Sequence, residues 1–403
     1  MDCKFKTELG LVTVNDEVLV RVAGYAALDC YGIVGMASKR STDGIVQLMG
    51  RENLGRGVKV RQNGEKVDID LFIIVEYGIS ISAVAAAIIE QIKDYCEYEV
   101  TPLGDVIAFK KGAKHPRNQV MFDAHMDEVG FIITYITEEG FLRFATVGGI
   151  DNRVIQGKPV VVGKNKVYGI ISSKPIHLID RDHRDDPIKA ADLSIDIGCR
   201  NREEAEGLVS VGDRVSFDSP FVRFGDGFLK SKALDDRAGC AVLIKMIQSD
   251  LEYDTYFSFT TREEVGGMGA QTATYTVKPD IAVAIETTTA ADIGGVAPEK
   301  RVCFLGKGPV ISFMDKGTIY DKRLYQLALD TAKEYKIKAQ PKLGVFGGNN
   351  AGSMHQAVGG VRPVGISMPC RYLHTQSCVL QEEDITATYD LLMKLSQVYA
   401  ICD

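Results

Sequence analysis

The sequence predicts an α/β fold: a main domain on a mostly parallel sheet, an all-β domain inserted into it, and a small α/β unit in front. Three observations carry this. From Val106 onward short apolar runs alternate with helical periodicities, the pattern of parallel strands joined by crossover helices. Between about 130 and 228 the alternation gives way to short strands separated by Gly and Asn turns. Before residue 82 a hairpin signal and one helical stretch form a pattern of their own. The expected domains are 1–82, then 83–129 joined with 229–403, with 130–228 as the insert.

At 403 residues the chain should hold roughly two or three domains. Apolar content of 45% and charged content of 25% are ordinary for a globular protein. No window approaches the roughly 18 apolar residues of a membrane span. The opening MDCKFKTELG lacks the apolar core and cleavage site of a secretory signal. Net charge is −7 with no concentrated basic patch, which argues against a nucleic-acid surface. The nine Cys are scattered, odd in number and without a C-x-x-C pair. That suits a reducing cytoplasm and argues against a thiolate zinc site or a disulfide framework. A metal here would need imidazole and carboxylate ligands, and there are six His.

In chain order, Asn15-Asp16 are good N-cap types before EVLVRVAGYAALDC, which has the apolar face of a helix. Val58 and Val60 alternate before Asn63-Gly64, and Val67, Ile69, Leu71 and Ile73 alternate after it, a hairpin signal. This first unit carries no His and no phosphate-cradling loop, so it reads as a binding or assembly module. SAVAAAIIEQIKDYC (82–96) forms a helix with Val84, Ile88, Ile92 and Cys96 on one face. No Gly/Ser- or Pro-rich linker separates it from what precedes it. In the insert, the one expected helix is a short one near Arg202–Gly207. The main domain resumes at KALDDRAG, leading into the helix CAVLIKMIQS.

Chemistry gathers at strand ends. FDAHMDEVG follows the apolar run Val120-Met121-Phe122, and His125 and Asp127, two apart in extended chain, point to one side. That is the arrangement of a metal ligand and the acid that orients it. Asp235 stands before a helix. Glu263-Glu264 follow the strand Tyr256–Phe259, Glu286 ends the strand IAVAI, and His374 follows VGISM. In open parallel sheets ligands bind outside the carboxyl ends of the strands. Taken singly, each residue is more commonly a solvated or satisfied polar group; their shared placement points to a metal site. Two His and three or four carboxylates suit Zn²⁺, Co²⁺ or Mn²⁺. Adjacent glutamates imply that one ligates while the other stays free as a base, the outline of two-metal hydrolysis. His355 reads as a structural hydrogen-bonding residue. His115, His177, His183 and the run Arg181–Asp186 read as solvated loop.

FDAHMDEVGF, SKALDDRAGC, TTREEVGGMGA, AIETTTAADI, GGNNAGSMH and RYLHTQSCVL, in this order, resemble the tetrahedral dinuclear-metal aminopeptidases of the glutamyl- and deblocking-aminopeptidase type. The resemblance runs from about 84 to 398. GLVTVNDEVLVRVAGYAAL, GIVGMA and GVKVRQNGEKVDIDLFIIVEYGISI, over about the first fifth, resemble the alkaline shock protein family, cytoplasmic proteins linked to cell-envelope stress.

The first resemblance implies two divalent ions per subunit, Zn or Co foremost and Mn as an option. It implies Asp235 as the bridging carboxylate, His125 and Glu286 completing one ion's ligands, and Glu264 and His374 the other's. Glu263 is similar to the general base and Asp127 to the acid that orients His125. It further implies short peptide substrates with a free N-terminus and a homo-oligomer assembled through the insert, with no nucleic-acid or membrane partner. Three departures stand out. Glu286 and Asn350 occupy positions where relatives often carry Asp, and the alkaline-shock-like segment replaces the family's usual opening helix and Gly-Ser turn. Two rival functions are a stress-associated scaffold with an impaired peptidase domain and a metal-free carbohydrate hydrolase with two opposed carboxylates.

Overall fold

The computed structural model describes residues 3–7, 10–15, 18, 33–36, 58–63, 66–71, 73–75, 81–179, 181–183 and 186–403. The chain divides into two compact units, Met1–Tyr77 and Gly78–Asp403.

In the first unit β1 (Cys3–Thr7) pairs antiparallel with β2 (Gly10–Val14). β3 (Ile33–Met36) is followed by the hairpin of β4 (Val58–Asn63) and β5 (Lys66–Leu71), and β6 (Ile73–Val75) pairs back onto β3. The hairpin forms where the alternation placed it, but Asn63 pairs with Lys66. The connection is therefore 64–65 rather than Asn63-Gly64. Those two residues, and the helix expected after Asp16, lie outside the described residues.

The second unit opens with α1 (Ile81–Ile92), whose Ala85, Ile88 and Ile92 are buried in the main core at helical spacing. The helix stops at Ile92, and Cys96 bonds back to the Ile92 carbonyl in the turn that follows. β7 (Glu97–Val100), β8 (Val106–Lys110) and β9 (Val120–His125) then enter the main sheet.

From Gly130 the chain builds a closed barrel. Its strands are β10 (Gly130–Ile136), β11 (Leu142–Val147), β12 (Pro159–Val162), β13 (Val167–Ile171), β14 (Ile195–Asp196) and β15 (Arg214–Phe217), in the order β10-β11-β14-β13-β12-β15. Closure removes the free strand edges. Phe131 packs edge-on against Phe144 and Phe217, with ring centroids 5.1 and 5.2 Å apart, at the centre of a core separate from that of the main sheet. The short helix α2 (Arg202–Glu206) is capped by the Asn201 side chain. β16 (Val222–Phe224) and β17 (Phe228–Ser231) leave the barrel, and β17 pairs with a late strand of the main domain, so position 228/229 falls inside a small sheet.

The rest of the main domain runs α3 (Leu234–Ile247), β18 (Thr255–Thr260), α4 (Met268–Val277), β19 (Ile281–Thr289), β20 (Val310–Ser312), α5 (Lys322–Glu334), β21 (Gln340–Pro341), α6 (Ala351–Met354), β22 (Arg362–Cys370), β23 (Cys378–Gln381) and α7 (Glu382–Ile401). Eight strands form the sheet β21-β20-β22-β19-β9-β18-β8-β7. Its centre, β22-β19-β9-β18, is all parallel; β8 and β20 flank it antiparallel. The strands β9, β19 and β22 are buried along almost their whole length, apolar at their starts or centres and polar where the site residues leave them. Among the described residues no helix is long and apolar enough to cross a membrane.

Glu286 does not end its strand: β19 continues to Thr289, because β22 keeps pairing with it as far as Thr289–Cys370. On its other side β19 pairs with β9 only up to Ala284. Glu286 therefore sits at an open margin beside the end of β9, although it is inside a strand.

Candidate metal centre

His125 is the last residue of β9 and is buried. Its Nδ1 lies 3.1 Å from the main-chain oxygen of Asp127. A carbonyl can only accept, so Nδ1–H donates to it and Nε2 is turned toward the carboxylates. Nε2 is 3.4 Å from Asp235 Oδ1 and 3.4 Å from Glu286 Oε2. The Asp127 carboxylate is 3.6 Å from Nδ1, too far for a hydrogen bond. It accepts instead from the backbone N–H groups of Glu263 (3.1 Å) and Glu264 (3.2 Å). The cause is local: Met126 N–H bonds to the Thr260 carbonyl, which extends the β9–β18 pairing and carries Asp127 to the turn after β18. Asp127 thus fixes the ring through its carbonyl and the glutamate pair through its side chain.

Glu263 and Glu264 leave β18 through Arg262, whose φ of +65° bends the chain sharply. Asp235 lies in the first turn of α3, where it and Asp236 have non-helical dihedrals and are joined by a cis peptide bond. Its Oδ2 is 3.2 Å from His374 Nε2, which also lies 3.5 Å from Glu264 Oε2. His374 itself has φ +58°, and its Nδ1 donates to the carbonyl of Gly149 at 2.7 Å. Gly149 follows β11, so the barrel orients a residue of the main domain. Its neighbour Gly148 has φ +82°, and a Cβ there would lie 2.8 Å from Val129 Cγ1 and 3.1 Å from Glu264 Oε2; only glycine fits.

All seven predicted residues therefore meet in one place. Donor atoms within 4.8 Å of one another form the groups His125–Asp235–Glu286 and Asp235–Glu264–His374, which share Asp235. A third grouping, His125–Glu263–Glu264, brings in Glu263.

Residues 104–391 match the M42 glutamyl aminopeptidase family, most of the chain. The chain belongs to the M42 glutamyl aminopeptidase family. A protein of Acetivibrio thermocellus is 39% identical to it over 319 residues, 78% of this chain and 92% of that protein. The solved TET aminopeptidase of a Thaumarchaeota archaeon superposes with a TM-score of 0.73 at 35% identity, covering 77% of this chain and 89% of that one. The Pyrococcus horikoshii TET1 peptidase, described as assembling into a tetrahedron or a large octahedral shell, gives 0.69 at 33% identity, covering 79% and 96%. The protein is thus a peptidase of the metal-dependent aminopeptidase class. Residues 4–101 match an alkaline shock protein-like family described as having a cell envelope-related function. The Bacillus subtilis protein YloU is 48% identical over 94 residues, 23% of this chain and 78% of its own. The alkaline shock match runs past Tyr77 through α1 and β7, which pack and pair in the M42 unit.

The donor set fits a multivalent cation. His125 Nε2, Asp235 Oδ1 and Glu264 Oε1 are buried without a hydrogen-bond partner, although they lie in adjoining donor groups. Such orphans are costly unless something positive joins them. The electrostatics agree. Burial, then Glu286, pushes the Glu263 carboxyl up to about 9; burial, then Asp235, pushes Glu264 to about 7. Burial opposes charge on His374, but Asp235 and Glu264 raise it to about 10. His125 is likewise raised, against burial, by Glu286 and its other carboxylate neighbours. Asp235 is held low, against burial, by both imidazoles. Protons on histidines and glutamates offset the excess of carboxylates, a task a divalent cation would take over.

The remaining histidines behave differently. His355 Nδ1 donates to the Ala351 carbonyl, a structural bond. His115 pairs with Asp254 on the surface, His177 is exposed, and the His183 side chain lies outside the described residues. Sequence reasoning missed the Gly149 carbonyl, the Gly148 approach and the buried Asp123. Only the Gly148-Gly149 pair at the end of FATVGG hinted at the first two.

Proposed function

We propose that this M42 protein is a dinuclear metal-dependent aminopeptidase that removes N-terminal residues from short peptides, with Glu263 as general base. The observation that carries the proposal is the sharing of Asp235 by two donor groups, each completed by one imidazole and one glutamate. His125, Asp235 and Glu286 would hold one divalent ion, and Asp235, Glu264 and His374 the other, with Zn²⁺ or Co²⁺ suited to this nitrogen–oxygen set. When bound, the ions supply Lewis acidity and lower the pKa of water from about 15.7 toward about 7.

The protein's own residues do the rest. Glu263 takes the proton of the attacking water on its carboxylate and returns it to the departing amine. Asp127 holds the Glu263 and Glu264 backbones, so that base and ligand keep a fixed separation. The Gly149 carbonyl keeps the His374 proton on Nδ1 and leaves Nε2 free to ligate.

A homo-oligomer belongs to the same proposal. It is supported by the described assembly of the Pyrococcus horikoshii relative and by Tyr168, Ile170, Ile176 and Leu178, exposed apolar side chains of the barrel domain. The unpaired cysteines of the described residues are consistent with a cytoplasmic setting.

The test is hydrolysis of a panel of short peptides after metal stripping and re-addition of Zn²⁺ or Co²⁺, with N-acetylated peptides as controls. Activity should return with metal and require the free amine. Equal cleavage of blocked peptides, or activity that survives stripping, would overturn the proposal.

A further inference from the structure

Beneath the candidate ligands lies a layer of buried polar groups that none of the roles above uses. Asp123 precedes His125 by two residues in β9 and is fully buried. Its carboxylate accepts from Ser258 Oγ at 2.6 Å, from Thr260 Oγ1 at 3.3 Å and from Asn350 Nδ2 at 2.7 Å. Asn350, 1% exposed at the entrance to α6, also donates from Nδ2 to Thr260 Oγ1 at 3.1 Å. Its main-chain N–H reaches Glu286 Oε1 at 3.2 Å. Its free oxygen faces Gly267, at the end of the turn that carries Glu263 and Glu264; a Cβ on that glycine would lie 3.3 Å away.

Asn350 thus touches three of the segments that present site residues. A hydrogen bond to one oxygen of a carboxylate in β19 fixes the rotation of the group and so the direction in which the other oxygen points. Here Oε1 faces Asn350, and Oε2 faces His125 Nε2 at 3.4 Å. The main-chain N–H belongs to the turn before α6, so its position follows from what holds that turn. The side-chain amide ties the turn to β9 and β18 through Asp123 and Thr260, beside the bond from Asn349 to the Tyr320 hydroxyl.

We propose that Asn350 is the positioning residue for Glu286. Its side chain anchors the turn before α6 to Asp123, and its N–H holds Glu286 Oε1 so that Oε2 is presented to the metal centre. The proposal rests on Glu286 being a ligand. In this chain the 123–350 contact joins one carboxylate to one amide. A second carboxylate would keep the contact only by carrying a proton, whereas a second amide would leave the hydroxyls of Ser258 and Thr260 facing a weaker acceptor.

The isosteric variants N350D, D123N and the exchange D123N/N350D, made in the full chain, test this without changing volume. The readouts are affinity of the metal-stripped protein for Co²⁺ by calorimetry and the visible spectrum of the Co²⁺-loaded form, which reports ligand geometry. Circular dichroism checks the fold. Each single variant should lose about 10- to 100-fold in affinity for at least one ion and shift the spectrum, as loss of a ligand's supporting hydrogen bond does. The exchange should recover to within about 3-fold of wild type. Single variants with wild-type affinity and spectrum, or an exchange no better than the worse single change, would refute the proposal. E286Q separates the two levels: if it too binds Co²⁺ like wild type, Glu286 is not a ligand; if it alone weakens binding, only the role of Asn350 falls.

Discussion

The His374 imidazole donates from Nδ1 to the carbonyl of Gly149 at 2.7 Å, so the barrel domain orients a candidate ligand that stands 225 residues further along the chain. The two glycines at this junction differ in what they tolerate. A Cβ on Gly149 would meet the His374 ring at 3.6 Å, ordinary contact, and the carbonyl would be unaffected. A Cβ on Gly148 would collide with Val129 and press on Glu264, at a φ of +82°. G149A should therefore keep peptidase activity within about 2-fold, since it adds a methyl group in ordinary contact. G148A should lose about 1–2 kcal/mol of stability from backbone conformation alone, and metal affinity with it. Equal behaviour of the two in thermal melts and metal titration would contradict this geometry.

Glu263 and Asp235 should separate when metal content and turnover are measured together. E263Q removes the base but leaves both Asp235-sharing groups intact. It should lose about 10²–10⁴-fold in kcat while metal stoichiometry stays at the wild-type value. D235N removes the residue common to both groups and should depress stoichiometry at both sites. E286Q and E264Q should each affect one. A D235N protein that still binds two ions at wild-type affinity would exclude the shared-ligand arrangement.

Helix α1 makes a prediction about modularity. The alkaline shock match includes it, yet Ile92 is fully buried in the M42 core, and α1 packs on α3. I92A should cost about 2–5 kcal/mol by the usual penalty for a buried truncation, and the loss should appear in the unfolding of the peptidase unit. Peptidase melting that ignores I92A would return α1 to the N-terminal module.

These residues show how far the sequence reaches and where it stops. The alternation of apolar runs and helical periods made the parallel sheet legible, and strand ends made His125, Glu263, Glu264 and His374 legible, because both follow from local periodicity. Glu286 was recognisable as a candidate but not as mid-strand, since the pairing that extends β19 comes from β22, far along the chain. Asp127 was placed beside His125 by spacing alone. Its bonds to the Glu263 and Glu264 backbones depend on a ladder contact between Met126 and Thr260 that periodicity does not encode. Gly149 acts through a carbonyl, which every residue has. Asp123 carries no signal of its own, because its partners Ser258, Thr260 and Asn350 come from another strand and a much later turn.

The electrostatics lead to a prediction with a definite sign. In the folded metal-free protein the His374 pKa stands at about 10, raised by Asp235 and Glu264 against the opposing effect of burial. In the unfolded chain it returns to about 6.5. A group raised on folding contributes its full stabilisation below the unfolded value and loses it as pH climbs through the folded one. Glu264, pushed up by burial and then Asp235 to about 7, acts in the same direction from about 4.3 upward. Stability of the stripped protein should accordingly fall as pH rises from about 6.5 toward 10. Metal binding must displace these protons, so affinity should rise over the same interval, with protons released on binding. Thermal melts of the stripped protein and Co²⁺ titrations at pH 6.5 and 8.5 measure both trends. A stripped protein that becomes more stable at pH 8.5, or metal affinity that weakens there, would show that the imidazoles and carboxylates of the stripped site do not hold these protons.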